Sequence, residues 1–250
     1  MTMSKAELYK EALKGLKNWD DYLLKESGLP GPRGNIELGK VVALEGNEAL
    51  FRRYLEYTPD EAPVNSPYEF LAFCGVLGMG RLLAEGRNDA IEIIKEHASD
   101  PRWRIREGVA MALQMLGIAD MERLLDEMRK WSRGNALEKR AAAAALCEPV
   151  LLKDPDNVVQ VIHILDGITM AMSFAVDRKS EDFQALRKGM GYCWSVAAAA
   201  DPEEGKRAME KWFYSDDKDI MWVMRENLKK NRMERMDPAW TKKWGEYLKT

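Results

Sequence analysis

The chain has 250 residues, 46% of them hydrophobic and 32% charged; that is enough to build a large core without disulfides or a structural metal, and too apolar for a disordered chain. Its 38 basic and 41 acidic side chains leave a net charge of -3, without the basic excess usual in a nucleic-acid-binding domain. Cys74, Cys147 and Cys193 form no CxxC pair, no run approaches 18 apolar residues, and Lys5, Glu7, Lys10 and Glu11 stand where a signal peptide needs an apolar block, so the expectation is a cytoplasmic protein with buried thiols and no membrane segment.

Taken in chain order, the periodicity is helical nearly throughout, with Ala, Leu, Met, Glu, Lys and Arg dominant and few alternating runs, which predicts an all-α chain. A first helical stretch, Ser4 to Ser27, has Ser4 as N-cap and Glu7 three residues on, and ends at Gly28-Leu29-Pro30-Gly31-Pro32. Two pieces around Gly46 cover Ile36 to Tyr57, and a loop follows with Pro59, Pro63 and Pro67. Helices are then predicted near Tyr68–Glu85, Asp89–Ala98, Arg102–Leu116, Met121–Trp131, Leu137–Cys147, Asn157–Ala175, Glu181–Ala200, Glu203–Tyr214, Asp219–Arg232 and Pro238–Leu248. The short connections predict antiparallel neighbours and a single domain over 1–250, with 1–62 less regular.

The most specific feature is internal. Asp100, Trp103, Arg106 and Glu107 recur as Asp219, Trp222, Arg225 and Glu226, an Asp followed by WxxRE, 119 residues apart. Arg140, with Gly134 at the Asp position, and Arg187, with Glu181 there, fall between them, so the arginines are 34, 47 and 38 residues apart. That interval suits a helix-turn-helix unit of about 40 residues, stacked because one unit cannot bury its own apolar face.

These residues resemble the HEAT repeat, in which an Asp opens the second helix and Val-Arg and a small residue follow. Asp100, Ile105, Arg106 and Ala110 match that pattern, and Asp219, Met224 and Arg225 match part of it. The resemblance implies an α-solenoid, armadillo-like in its helical stacking: about six hairpins in a right-handed stack, the helices near Arg102, Leu137, Glu181 and Asp219 lining one face. It also implies that Arg106, Arg140, Arg187 and Arg225 link adjacent units. The Trp-Arg context and the stretch from Trp222 to Asp237 are further similar to the HEAT-like DNA alkylation repair glycosylases, which hold damaged DNA in a basic groove with tryptophans and an aspartate at the lesion. Here Glu107 and Glu226 follow the tryptophans, so they are the carboxylates such an activity would have to use.

A wheel at about 100° per residue places Ile105, Val109, Ala112 and Leu116 on a core stripe, and puts Trp103, Arg106, Glu107, Ala110 and Gln114 opposite. In the later copy Ile220, Val223, Met224 and Leu228 share a face, with Trp222 and Lys229 on the other. Indoles next to arginines on a non-core face suit partner anchoring or base stacking. Trp194 instead falls on the apolar face with Phe183 and Met190, and Trp19, Trp131, Trp212, Trp240 and Trp244 read as packing residues. His97 and His163 lack partners at metal-ligand spacing, so no metal is expected. Gly75, Gly78 and Gly80 follow no strand and lack GK[ST], which leaves them as helix-packing positions and removes a phosphate loop and its cofactor. With no catalytic set apparent, two readings stand. One is a non-enzymatic scaffold that binds a protein or peptide through Trp103, Arg106, Arg140, Trp222, Arg225 and Lys229; the other is a DNA-binding, glycosylase-like enzyme with Glu107 or Glu226 as the carboxylate that stabilises positive charge on the sugar as the base leaves.

Overall fold

The computed structural model describes residues 3–248. They form fifteen α-helices and two 3-10 turns, with no strand among the described residues. The chain is all-α, and it divides into two compact units, Met1–Ala119 and Asp120–Thr250.

The first unit contains α1 (Lys5–Lys14), α2 (Asp20–Glu26), α3 (Ile36–Glu45), α4 (Glu48–Leu55), α5 (Pro67–Ala84), α6 (Ala90–His97) and α7 (Trp103–Ala119). Ser4 and Glu7 form a reciprocal capping box at the start of α1, as their spacing predicts. The single stretch expected from Ser4 to Ser27 is two helices. The first stops at Gly15, and the Trp19 indole N–H turns back to donate to the Leu13 carbonyl at 3.0 Å, satisfying an end-of-helix acceptor that a continuous helix would have used.

α5 is the hub of this unit. It is apolar on all sides, with fourteen of its 18 residues buried, and α2, α3, α4, α6 and α7 pack around it. Its glycines allow that crowding. A Cβ on Gly78 would lie 2.2 Å from the Phe51 ring of α4, and one on Gly80 would lie 2.5 Å from the Ala112 Cα of α7. The stripe expected on α7 is in place, with Ile105, Val109, Ala112 and Leu116 all at 1% exposure or less. Ala110 departs from the wheel, since it too is buried. α7 packs against both α5 and α6, which covers more of its circumference than one stripe.

The second unit contains α8 (Met121–Trp131), α9 (Ala136–Leu146), α10 (Pro155–Ser173), α11 (Glu181–Ala200), α12 (Pro202–Glu210), α13 (Lys218–Leu228), α14 (Asn231–Met236) and α15 (Pro238–Tyr247). Here α11 is the hub, packed by α9, α10, α12, α13 and α14. Trp194 is fully buried on it and donates its indole N–H to Thr169 Oγ1 of α10 at 3.0 Å. Asn227 of α13 is also fully buried. Its amide donates to the carbonyls of Met190 and Val223, and its oxygen accepts from the Ser195 N–H, each at 2.8 Å. One side chain thus ties α13 to the middle of α11. Two expected helices end early: the one from Glu203 finishes in the 3-10 turn Lys211–Tyr214, and the one from Asp219 divides at Lys229-Lys230 into α13 and α14. The late aromatics pack as the sequence predicts, with Phe213 centred 4.7 Å from Trp244 and 5.6 Å from Trp240.

Candidate functional site

The start of α7 and the loop before α3 are bound together by charge. Asp100 grips Arg102 through a two-pronged contact, Nη2 to Oδ2 at 2.6 Å and Nε to Oδ1 at 2.9 Å, and Arg102 donates in turn to the carbonyls of Tyr57 at 2.9 Å and Ala62 at 3.2 Å. Arg106, in the first turn of α7, donates to the Asp100 and Pro101 carbonyls. The repeat aspartate and arginine of this copy therefore hold the start of their own helix, and it is Arg102 that reaches the α4–α5 loop.

Arg104 is the neighbour of Trp103 that the repeat pattern does not single out. Its Nη1 lies 3.0 Å from Oε2 of Glu69, and its Nη2 donates to the Gly31 carbonyl at 2.7 Å and to Asn65 Oδ1 at 3.2 Å. The Asn65 N–H also donates to Glu69 Oε2, and the Gly31 N–H to Asn65 Oδ1. Glu69 is completely buried in the first turn of α5, and its Oε1 has no hydrogen-bond partner, nor has Arg104 Nε. This ion pair fixes the loop from Leu29 to Gly34 against α5 and α7.

That loop is the wall of a cavity of about 440 Å³ lined by Leu29, Pro32, Arg33, Gly34, Ile36, Phe70, Phe73, Trp103, Arg104, Glu107 and Met111. Phe70 and Phe73 stack beneath it, 6.1 Å apart. Trp103 stands at the rim with 44% of its surface exposed, over the Arg104 guanidinium at 4.4 Å, and Ile36 is 48% exposed. An apolar floor, an exposed indole and few polar groups make a surface that gains from covering. Glu107, the first carboxylate candidate, is exposed on the same wall.

The second copy is built differently. Trp222 is half-buried, with the Arg187 guanidinium 3.8 Å from its ring and the Gly191 backbone beside it. Arg187 also pairs with Asp219 at 2.7 Å, and Asp219 accepts from Arg178 at 3.1 Å. Here the repeat residues do join two packed helices, α11 and α13, and the indole expected on an open face is wedged between them. Asp217, which caps α13, accepts two hydrogen bonds from Arg178, and these hold its carboxyl below the usual range, against the opposing effect of burial.

Of the other expected residues, Arg140 packs its stem against Gly189 of α11, Arg225 is exposed on α13, and Glu226 pairs with Lys229 at 2.6 Å. Lys229 lies at the α13–α14 corner with Lys230, Arg232 and Arg235 around Tyr192, a cationic notch in which Arg232 stacks on the Tyr192 ring at 4.8 Å. Trp103 and Arg106 thus belong to the first unit, and Arg140, Trp222, Arg225 and Lys229 to the second. The three cysteines are free and buried, and burial raises the Cys74 and Cys147 thiols above their ordinary range, the opposite of what a thiolate nucleophile needs.

Compared with known proteins, the chain matches no family model, no curated protein and no solved structure.

Proposed function

We propose that the protein is a non-enzymatic binding scaffold whose helical hairpins stack as a HEAT-like α-solenoid of about six units, and that it recognises a protein or peptide through its concave face. The observation that carries the reading is the Trp103 cavity. An indole and an isoleucine are left open beside an aromatic floor, and a buried ion pair holds the wall in place before any partner arrives. Preorganisation of this kind lowers the entropy lost on binding, and Trp and Arg are enriched among binding hot spots. The occupant that fits is a peptide segment presenting one large apolar side chain to Phe70, Phe73 and Met111.

Selection of displayed peptides against the folded protein tests this. Enriched peptides should share a large apolar anchor, and their affinity should fall at least tenfold in Trp103→Ala and in Ile36→Asp, with circular dichroism unchanged. Peptides that bind both variants as tightly as the parent would remove the cavity from the function.

The DNA-binding alternative draws its support from the notch of Lys229, Lys230, Arg232 and Arg235. Contacts of three or four phosphates there would give log affinity a slope of about -3 against log salt. A labelled duplex titrated by anisotropy reads that slope directly, and Lys229→Ala or Arg235→Ala should flatten it by about 1. No binding at low ionic strength refutes this alternative.

A further inference from the structure

A second cavity, of about 420 Å³, lies in the unit Asp120–Thr250, between the end of α8, the start of α9 and the middle of α10. Its walls carry Arg129, Arg133, Lys139, Gln160 and His163, and no carboxylate. Neither the repeat pattern nor the tryptophan sites account for it.

The charges around it are resolved outward. Asp126, 61% exposed, pairs with Arg129 from the solvent side, Arg129 also donates to Gln160 Oε1 across the cavity wall, and Glu127 pairs with Lys130 along α8. Asp166 of α10 is taken up by the Trp212 indole and by Lys211. Glu138 lies next to Lys139 in sequence and exerts only a weaker attraction on it. The Lys139 amine, half-buried, donates to the Gly134 carbonyl, and burial lowers its affinity for a proton. Among the described residues no carboxylate forms an ion pair with this ammonium as the counter-ion that usually accompanies a buried charge. On the far wall Gly167 has no side chain, and a Cβ placed there would meet nothing within 4 Å, so the space next to the cations is open.

We infer that this cavity binds a compact phosphate monoester, with Arg129, Arg133 and Lys139 on the phosphoryl oxygens, Gln160 and His163 as further polar contacts, and the ligand body over Gly167. Arginine forks match phosphate geometry, and a dianion offers a charge to both Arg133 and Lys139 beside the Asp126-paired Arg129, where a single carboxylate would answer one. The volume falls within the range of small-molecule sites, roughly 300–1,000 Å³, and its position between three helices suits a small molecule more than a duplex.

Calorimetry with ribose 5-phosphate, inorganic phosphate and unphosphorylated ribose tests the inference. Ribose 5-phosphate should bind, inorganic phosphate should compete, and ribose should give no heat. Arg133→Ala, at an exposed position, should fold normally and weaken binding at least tenfold. Gly167→Leu, which fills the open space with a good helix former, should abolish it. In the parent protein the Lys139 side-chain NMR signal should titrate at higher pH with ligand bound. Three outcomes would overturn the assignment: no binding of either phosphate at low ionic strength, equal affinity in Arg133→Ala, or an equal loss in Lys242→Ala, which would show general attraction to an exposed cation and not a site. Trp103→Ala should leave phosphate binding unchanged, so this result and that of the peptide selection fail independently.

Discussion

The Arg104–Glu69 pair is where stability and the candidate binding surface meet, and removing one partner separates the two. Arg104 is 8% exposed and Glu69 is not exposed at all, so Arg104→Met leaves a carboxylate in the interior with only the Asn65 N–H to answer it. Breaking a buried pair in this way costs about 3–5 kcal/mol, whereas replacing both members by apolar residues is often close to neutral. The unpartnered Glu69 Oε1 and Arg104 Nε place this pair among those whose burial is incompletely compensated, which favours recovery in the double variant. Arg104→Met should therefore lower the unfolding free energy by about 4 kcal/mol, Glu69→Leu by a similar amount, and the two together by about 2 kcal/mol or less. Urea denaturation followed by far-ultraviolet circular dichroism measures all three, read as midpoints with unchanged slope. The double variant should still lose affinity for peptides, because the Gly31 carbonyl and Asn65 would no longer be held. If each single change costs under 1 kcal/mol, or the double costs the sum of the singles, the charges are not coupled through a buried contact and the preformed wall has no basis.

Glycines in two helices should respond in opposite directions. Gly78→Ala drives a methyl into Phe51 and should destabilise by about 1–3 kcal/mol, while Gly167→Ala, with open space around it, should stabilise by about 0.5–1 kcal/mol; thermal melts of the pair decide it, and a stable Gly78→Ala would contradict the close approach of α4 to α5. Asn227→Leu removes three buried hydrogen bonds that tie α13 to α11, so a loss of about 1–3 kcal/mol is expected, with faster amide exchange at Ser195 as the local sign. For Asp217 the folded carboxyl titrates below its unfolded value of about 3.9, because the Arg178 contacts favour the charged form. Its contribution is thus complete above the unfolded value and fades as pH falls through the folded one. Arg178→Ala should flatten the acid limb of the stability curve below about pH 4, and an unchanged limb would show that Asp217 is not coupled to folding.

Local chemistry sufficed for much of the helical framework. The Ser4 and Glu7 cap, the core stripes on α7 and α13, the helix from Glu181 to Ala200, the interior place of Trp194 and the burial of all three cysteines follow from spacing alone. Each depends on interactions within a turn or two, or on an apolar period that any core would satisfy. The break between α1 and α2 was less legible, since it turns on Trp19 folding back to Leu13. Tertiary structure alone decided the sites. Trp103 and Trp222 occupy equivalent positions in one motif, yet one stands open at a cavity rim and the other is clasped by Arg187 against Gly191, because what surrounds an indole is set by helices distant in the chain. Arg104, Glu69 and Asn65 carry no shared pattern, being brought together over separations of 35 and 39 residues, and Glu69 by itself reads as an ordinary first-turn acid. Arg129, Arg133, Lys139 and His163 likewise read as scattered polar positions on three helices and the turn between two of them. A helix is determined by its neighbours in sequence, but the charge left over in a cavity depends on which carboxylates the packing has turned away.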